Sequence, residues 1–270
     1  MITSPTNQKI KHVSALISSK KERMATKTYV IEGTKVFLEA PVEDIVEVYI
    51  SESFNDRLCD GDESKLAGPM LDIYKKLKGL SYEVVTDAIF KKMSDTVTPQ
   101  GILCIMRVRL KELSEFIEEY KDKPVKIVVL EGLQDPGNMG TIIRTAEAAG
   151  INLILAGSNT VDIFSSKVAR ATMGSILRVP ITYTNDLYDN IELLKKHDIK
   201  VFAAHLKGEL SYRDAEYSDR SMILIGNEGS GLTEIATQLA DTLVKIPMEG
   251  KVESLNAAIA AAILMFELGR

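Results

Sequence analysis

Three loop-like stretches carry polar residues able to assemble one reaction centre. In EGLQDPGNMGTIIRTAEAAG, Glu131 to Gly150, Asp135, Pro136 and Gly137 read as a turn and Gly140 as the residue that opens a helix. Asn138 falls in that loop, where its amide can orient a substrate or tie the loop to itself. Arg144 reads as one turn into the helix, a place the helix dipole disfavours for a cation, so it suits an anionic neighbour: a protein carboxylate or a substrate phosphate. In MILIGNEGSGL, Met222 to Leu232, an apolar run ends in Gly226, Gly229 and Gly231 around Glu228. Glycines there permit tight backbone and close approach. Their spacing is neither that of a dinucleotide loop nor that of a Walker A loop, and Glu228 repels the phosphates such loops cradle. The carboxylate suits a hydroxyl, a cation or a helix cap instead. In VKIPMEGKVESLNAAIAAAILMFEL, a strand ends at Ile246, Pro247 and Met248, and Ser254 can cap an alanine-rich helix able to pack closely on a neighbour.

The same text lacks other chemistries. It has no HExxH and no nucleophile elbow, and His12, His197 and His205 are scattered. Cys59 and Cys104 have no metal-ligand spacing, so no metal is expected, and their use agrees with a reducing compartment. Three marked loops at strand ends fit a cofactor pocket, and the residues by themselves lead to an α/β domain that binds a nucleoside-containing ligand.

The elements that must hold these loops alternate. In the second half the apolar runs KIVVLEGL, INLILAG, ILRVPI, KVFAAHL, SMILIG and TLVKIPM read as strands. Helical compositions separate several of them, as in TIIRTAEAAG, VDIFSSKVARATMGS, NDLYDNIELLKKHD and TEIATQLA. Such β-branched runs between helices describe a parallel sheet covered on both faces, with ligands at the C-terminal ends of its strands. The first half, with YVIEG, VEVYIS, YEVV and GILCIMRV as strands and the helix LDIYKKLK closed by Gly79, is a smaller α/β domain; DGDESKLAGP reads as a polar turn. The boundaries expected are 1–110 for the first domain, 111–124 for a linking helix and turn, and 125–270 for the second.

The 270 residues carry a net charge of -5, so the total does not advertise a nucleic-acid binder. The distribution does. Between Met1 and Lys27, Lys9, Lys11, Lys20, Lys21, Arg23 and Lys27 face Glu22 alone, a basic arm able to touch phosphates locally. No secretory signal pattern opens the chain and no apolar run reaches membrane-spanning length, which places the protein in the cytoplasm.

Taken together, DPGNMGTIIRTAEAAG, ILIGNEGSGL and KIPMEGKVESLNAAIAAAI resemble the motifs of the SpoU, or TrmH, family of RNA ribose 2'-O-methyltransferases, members of the knotted SPOUT class. RMATKTYVIEGTKVFLEA and TPQGILCIM are similar to an L30e-like substrate-binding domain. The resemblance implies a trefoil-knotted, mostly parallel sheet and methyl transfer from S-adenosylmethionine to RNA, 23S ribosomal RNA rather than tRNA, with a non-catalytic RNA-binding or ribosome-assembly protein as the rival. It places Arg144, Asn138, Glu228, Ser254 and Asn256 in catalysis. It places Leu206, Lys207, Gly208, Gly226, Asn227, Glu228, Gly229, Ile246, Pro247, Met248, Leu255 and Asn256 around the cofactor, and gives the basic arm an RNA backbone to meet. It also implies a homodimer through the knotted domain. One departure stands out: Ala258 occupies a position where the family commonly has serine.

Overall fold

The computed structural model describes residues 1–59 and 66–268 and divides them into two compact units. Most of the expected polar turn DGDESKLAGP, and the Cys59 side chain, lie outside the described residues. The first unit comprises Met1–Val108 and Phe164–Leu177; the second comprises Arg109–Ile163 and the chain from Arg178 onward.

In the first unit, α1 (Gln8–Ser18) and α2 (Lys20–Thr26) lead into β1 (Thr28–Glu32), α3 (Thr34–Glu39), β2 (Ile45–Ser51) and α4 (Glu52–Cys59). Then come α5 (Pro69–Lys78), β3 (Tyr82–Val85), α6 (Asp87–Met93) and β4 (Ile102–Arg107). The sheet order is β1-β4-β2-β3, antiparallel at β4 and parallel between β2 and β3. Ile10, Val13 and Leu16 recur at helical spacing on α1 and pack with Val30, Tyr49, Leu103 and Ile105. Cys104 is buried and free, and burial pushes its thiol well above the usual range.

The basic arm needs one correction. Arg23 is buried, and its guanidinium donates to the carbonyls of Leu16 and Ile17. Those carbonyls belong to the last turn of α1, which the helix cannot satisfy itself, so Arg23 is a capping residue and not a surface contact for phosphate. Lys9 pairs with Glu83 at 2.7 Å, and its hydrogen bond to that carboxylate raises its pKa. Lys11, Lys20, Lys21 and Lys27 are exposed.

The second unit starts with α7 (Leu113–Glu119). It continues through β5 (Val125–Leu130), α8 (Pro136–Ala148) and β6 (Leu153–Gly157). The segment expected to link the domains is part of this core, for Leu113 and Phe116 pack with Val125, Ile127 and Leu194. After Ile163 the chain contributes α9 (Ser166–Ala171) to the first unit, where it packs on β1 and the Phe164 ring lies 5.0 Å from that of Tyr29. The run ILRVPI is not one strand. Ser175–Leu177 forms a 3-10 turn and β7 (Ile181–Thr184) begins only after Pro180, which has no N–H to give a ladder.

The remaining elements are α10 (Leu187–Lys195), β8 (Lys200–Ala204), the two-residue edge strand β9 (Leu210–Ser211), which the sequence pattern did not suggest, and β10 (Arg220–Ile225). They end with α11 (Glu234–Leu239), β11 (Thr242–Lys245) and α12 (Ala257–Glu267). Among the described residues the sheet order is β7-β6-β5-β10-β8-β11-β9, with every pairing parallel. Strands covered on both faces read as continuous apolar runs, and β6 and β10 do so because their residues are buried on both sides. The order puts β5, β10, β8 and β11 side by side, so the loops leaving their C-terminal ends crowd one edge.

Candidate active site

The first loop is shorter than its glycines suggest. Asp135 caps α8 by accepting from the Asn138 amide at 2.7 Å, and Pro136, whose missing N–H costs nothing there, occupies the first turn. The helix therefore begins before Gly140, and Arg144 sits more than two turns in, beyond the reach of the N-terminal dipole. The conflict with the dipole does not exist. A different observation replaces it: Arg144 is exposed and its guanidinium has no hydrogen bond or ion pair among the described residues. Of the two anionic neighbours open to it, the protein carboxylate is absent there. Ile142, Ile143 and Ala146 fill the buried face of α8.

The second loop closes on itself. Asn227 and Gly231 exchange backbone hydrogen bonds of 3.0 Å each, and the Asn227 side chain accepts from Gly229 N–H at 2.9 Å and donates to the Gly132 carbonyl at 2.8 Å. Gly231 takes φ +70°, and a Cβ at Gly226 would stand 2.2 Å from the Gly231 carbonyl carbon, so neither position admits a side chain without rearrangement. This tight turn projects Glu228 at the first loop. Its carboxylate accepts from the backbone N–H of Gln134 at 3.0 Å and of Asp135 at 2.9 Å, and from Asn138 Nδ2 at 3.0 Å. Burial alone raises its pKa; the donors from Asp135, Asn138 and Gln134 outweigh that and hold it below the ordinary glutamate value.

The third loop joins through a helix cap. Asn256, not Ser254, caps α12, with its Oδ1 accepting from the N–H groups of Ala258 at 2.9 Å and Ile259 at 3.3 Å. Asparagine is among the strongest caps, and Ser254 lies too far upstream for the register in which the helix begins. The Asn256 Nδ2 donates to Asn138 Oδ1 at 2.9 Å. A continuous relay, Asn256 to Asn138 to Glu228, therefore ties all three loops. Ser254 is exposed and makes no hydrogen bond among the described residues.

One residue that the motifs did not single out supports this arrangement. Glu131, buried at the end of β5, accepts from Thr233 N–H at 2.8 Å, from its hydroxyl at 2.7 Å, and from the Tyr188 hydroxyl. It anchors the downstream end of the glycine turn, since Thr233 caps α11. Burial, then the bond to Glu131, raises the Tyr188 pKa. An acid closing the apolar run KIVVLE is the signal that could have revealed it.

The positions expected around a cofactor fall on adjacent loops. Leu206, Lys207 and Gly208 follow β8, Gly226 to Gly229 follow β10, and Ile246, Pro247 and Met248 follow β11, with β8 between the other two strands. Lys207 N–H bonds to His205 Nδ1 at 3.1 Å, while the backbone amides and carbonyls of Leu206 and Met248 have no partner among the described residues. Gly208 is buried, with its Cβ direction filled by the Leu243 carbonyl at 3.0 Å. Leu255 is half-buried beside the Asn256 cap. No group of His, Cys, Asp and Glu side chains among the described residues is arranged to hold a metal.

Residues 125–266, more than half of the chain, match the SpoU rRNA Methylase family. The chain belongs to that family. Its mostly parallel sheet is of the kind typical of the SPOUT trefoil-knot fold, and residues 7–104 match the MRM3-like substrate binding domain. The SpoU chain is 31% identical over 267 residues, 99% of its length and 98% of the relative's, to the Bacillus subtilis (strain 168) 23S rRNA (guanosine(2553)-2'-O)-methyltransferase RlmP. Its fold is similar to the AdoMet-bound rRNA methyltransferase from Sinorhizobium meliloti, with a TM-score of 0.80 at 30% identity, covering 99% of this chain and 96% of that one. The SpoU methyltransferase AviRb from Streptomyces viridochromogenes, solved in complex with AdoMet, superposes with a TM-score of 0.81 at 20% identity over 97% and 98% of the two chains, a likeness of fold.

Proposed function

We propose that this SpoU protein methylates a ribose 2'-hydroxyl of 23S ribosomal RNA in the cytoplasm. It is an S-adenosylmethionine-dependent RNA methyltransferase with an RNA substrate-binding domain; the proposal adds the RNA, the compartment and the residue roles. The relay from Asn256 through Asn138 to Glu228 carries it, because that relay brings three separate motifs into one reaction-sized locus. The likeness to RlmP along the full chain favours ribosomal RNA over tRNA.

The donor set fits the cofactor. Unpartnered backbone groups at Leu206 and Met248 beside apolar side chains suit a neutral adenine and ribose, and the glutamate beside Gly229 suits a ligand without phosphate. Leu206 to Gly208, Gly226 to Gly229, Ile246 to Met248, Leu255 and Asn256 would hold it. When bound, S-adenosylmethionine supplies an electrophilic methyl on a sulfonium. The protein's task is to align the 2'-oxygen and release its proton. Arg144 grips the phosphate next to the target ribose and so holds the 2'-oxygen in line with the methyl, while the proton passes to solvent water. Asn138, fixed from both sides, orients the ribose. Glu228 holds Asn138 and the backbone of the first loop, and Ser254, free on the surface, meets the substrate. The exposed Ile259 and Phe266 of α12 supply the apolar face of a homodimer.

Tritiated S-adenosylmethionine incubated with 23S rRNA and with tRNA tests the substrate. Label on 23S rRNA alone is expected, and label on tRNA alone overturns that assignment. Cofactor binding without label on either RNA favours a binding protein that kept the fold.

A further inference from the structure

Glu131 is the one buried acid among the described residues, and the methyl transfer does not use it. Its side-chain partners are uncharged donors: the Thr233 N–H at 2.8 Å on Oε2, and the Thr233 hydroxyl at 2.7 Å and the Tyr188 hydroxyl on Oε1. A carboxylate taken out of water with no cation beside it costs free energy that such hydrogen bonds only offset. An apolar residue avoids that cost, as the buried Leu130 does one place earlier. The acid therefore supplies something that packing cannot.

What it supplies is a hold on both ends of the glycine turn. The Glu131 N–H donates to the Ile225 carbonyl at 2.9 Å, just before Gly226, while its carboxylate holds Thr233, just after Leu232. Gly132, next in the chain, completes the clip by accepting from the Asn227 side chain at 2.8 Å. Its φ of +69° is one that glycine takes without strain. Two consecutive residues thus fasten the turn at its entry, near its middle and at its exit. Of the residues between, Gly226, Gly229 and Gly231 are glycines, which lose more chain freedom on ordering than any other residue. A loose turn of this composition has to be ordered by the ligand it binds, whereas a fastened one meets that ligand already shaped.

We propose that Glu131 is a positioning residue for the cofactor: through Thr233 it keeps the turn from Gly226 to Leu232 in its binding shape, and so sets the affinity for S-adenosylmethionine without taking part in methyl transfer. The inference rests on that turn being a wall of the cofactor pocket. Glu131 acts by geometry and not by charge, because both of its oxygens are engaged by Thr233 and Tyr188. Glutamine has the shape to keep the clip. Its carbonyl accepts from the Thr233 N–H, and its amide donates to the two hydroxyls, which turn to accept.

Calorimetric titration of the full chain with S-adenosylmethionine, and with S-adenosylhomocysteine, which lacks the sulfonium charge, tests this without any RNA. Glu131→Ala is expected to raise both Kd values about tenfold, since the ligand then has to order the freed turn. In methyl transfer the KM for S-adenosylmethionine rises alike, while kcat at saturating cofactor stays within about threefold. Glu131→Gln brings both Kd values back to within about twofold of the natural ones. Thr233→Val keeps the side-chain shape, loses the hydroxyl and weakens binding in the same direction; it carries the test if circular dichroism shows Glu131→Ala unfolded. A folded variant with a lower melting temperature and an unchanged Kd makes Glu131 a structural prop and overturns the proposal. Weaker binding of S-adenosylmethionine alone, with no rescue by glutamine, overturns geometry in favour of charge. Gly226→Ala separates the inference from the reading beneath it. An unchanged Kd in that variant removes the turn from the pocket and the role of Glu131 with it, whereas a raised Kd there beside an unchanged one in Glu131→Ala overturns the role of Glu131 alone.

Discussion

At the residue scale the contrast between Arg144 and Glu228 is the informative one. Glu228 accepts donors from the first loop, whereas Arg144 has no partner among the described residues, so the acid organises protein and the cation is the one we propose for substrate. Arg144→Ala is expected to lower transfer by at least a hundredfold, as loss of a positioned charge-assisted contact does, while the cofactor Kd by calorimetry stays within about twofold. Unchanged turnover refutes the role. Glu228 also makes a pH prediction. Its folded pKa lies below the ordinary 4.5, so its contribution to stability is complete above that value and is lost as the pH falls through the folded one. Thermal denaturation followed from neutral into acid pH is expected to show a steeper acid loss for the natural protein than for Glu228→Gln. Asn138 and Glu228 drew notice in the sequence because each stands in a glycine- or proline-marked loop; Asn256 came only with the family resemblance, the residues alone pointing to Ser254 as the cap. Arg23 was misread because sequence shows charge and not burial, and only the fold reveals that the end of α1 needed its guanidinium.

At the element scale, β-branched runs alternating with helical segments revealed the parallel sheet, since strands covered on both faces must be apolar throughout. Boundaries were less legible where one residue overrode the pattern. Pro180 delayed β7, Asp135 and Pro136 started α8 early, and Asn256 displaced Ser254 as the cap of α12. The two-residue β9 carries no periodicity to detect. Asn256→Ala removes a cap worth about 1 kcal/mol and frees Asn138, so it lowers both the melting temperature and kcat; Asn256→Asp keeps the cap, cannot donate to Asn138, and is expected to restore stability but not kcat. The turn after β10 is equally specific. Gly226→Ala drives a methyl into backbone 2.2 Å away, and a cofactor Kd measured by calorimetry that did not rise would contradict a role for this turn in the pocket wall.

At the scale of the whole molecule, the sequence division into two α/β parts missed one fact: the segment Phe164–Leu177, which lies inside the stretch matched to the methylase family, packs with the first unit. Contacts so distant in sequence leave no periodic trace. The apolar face of α12 makes an assembly prediction, for Ile259 and Phe266 are half exposed on a helix whose opposite side is buried. Ile259→Asp with Phe266→Asp is expected to convert a dimer to a monomer in light scattering, and a natural protein that is already monomeric contradicts it. The most direct test of the whole is a map of ribose 2'-O-methylation at single-nucleotide resolution, read from resistance to alkaline cleavage, on 23S rRNA treated with the natural protein or with Arg144→Ala in the presence of S-adenosylmethionine. One new protected nucleotide with the natural protein and none with the variant is the predicted result; methylation on a base, or protection that survives in the variant, contradicts it.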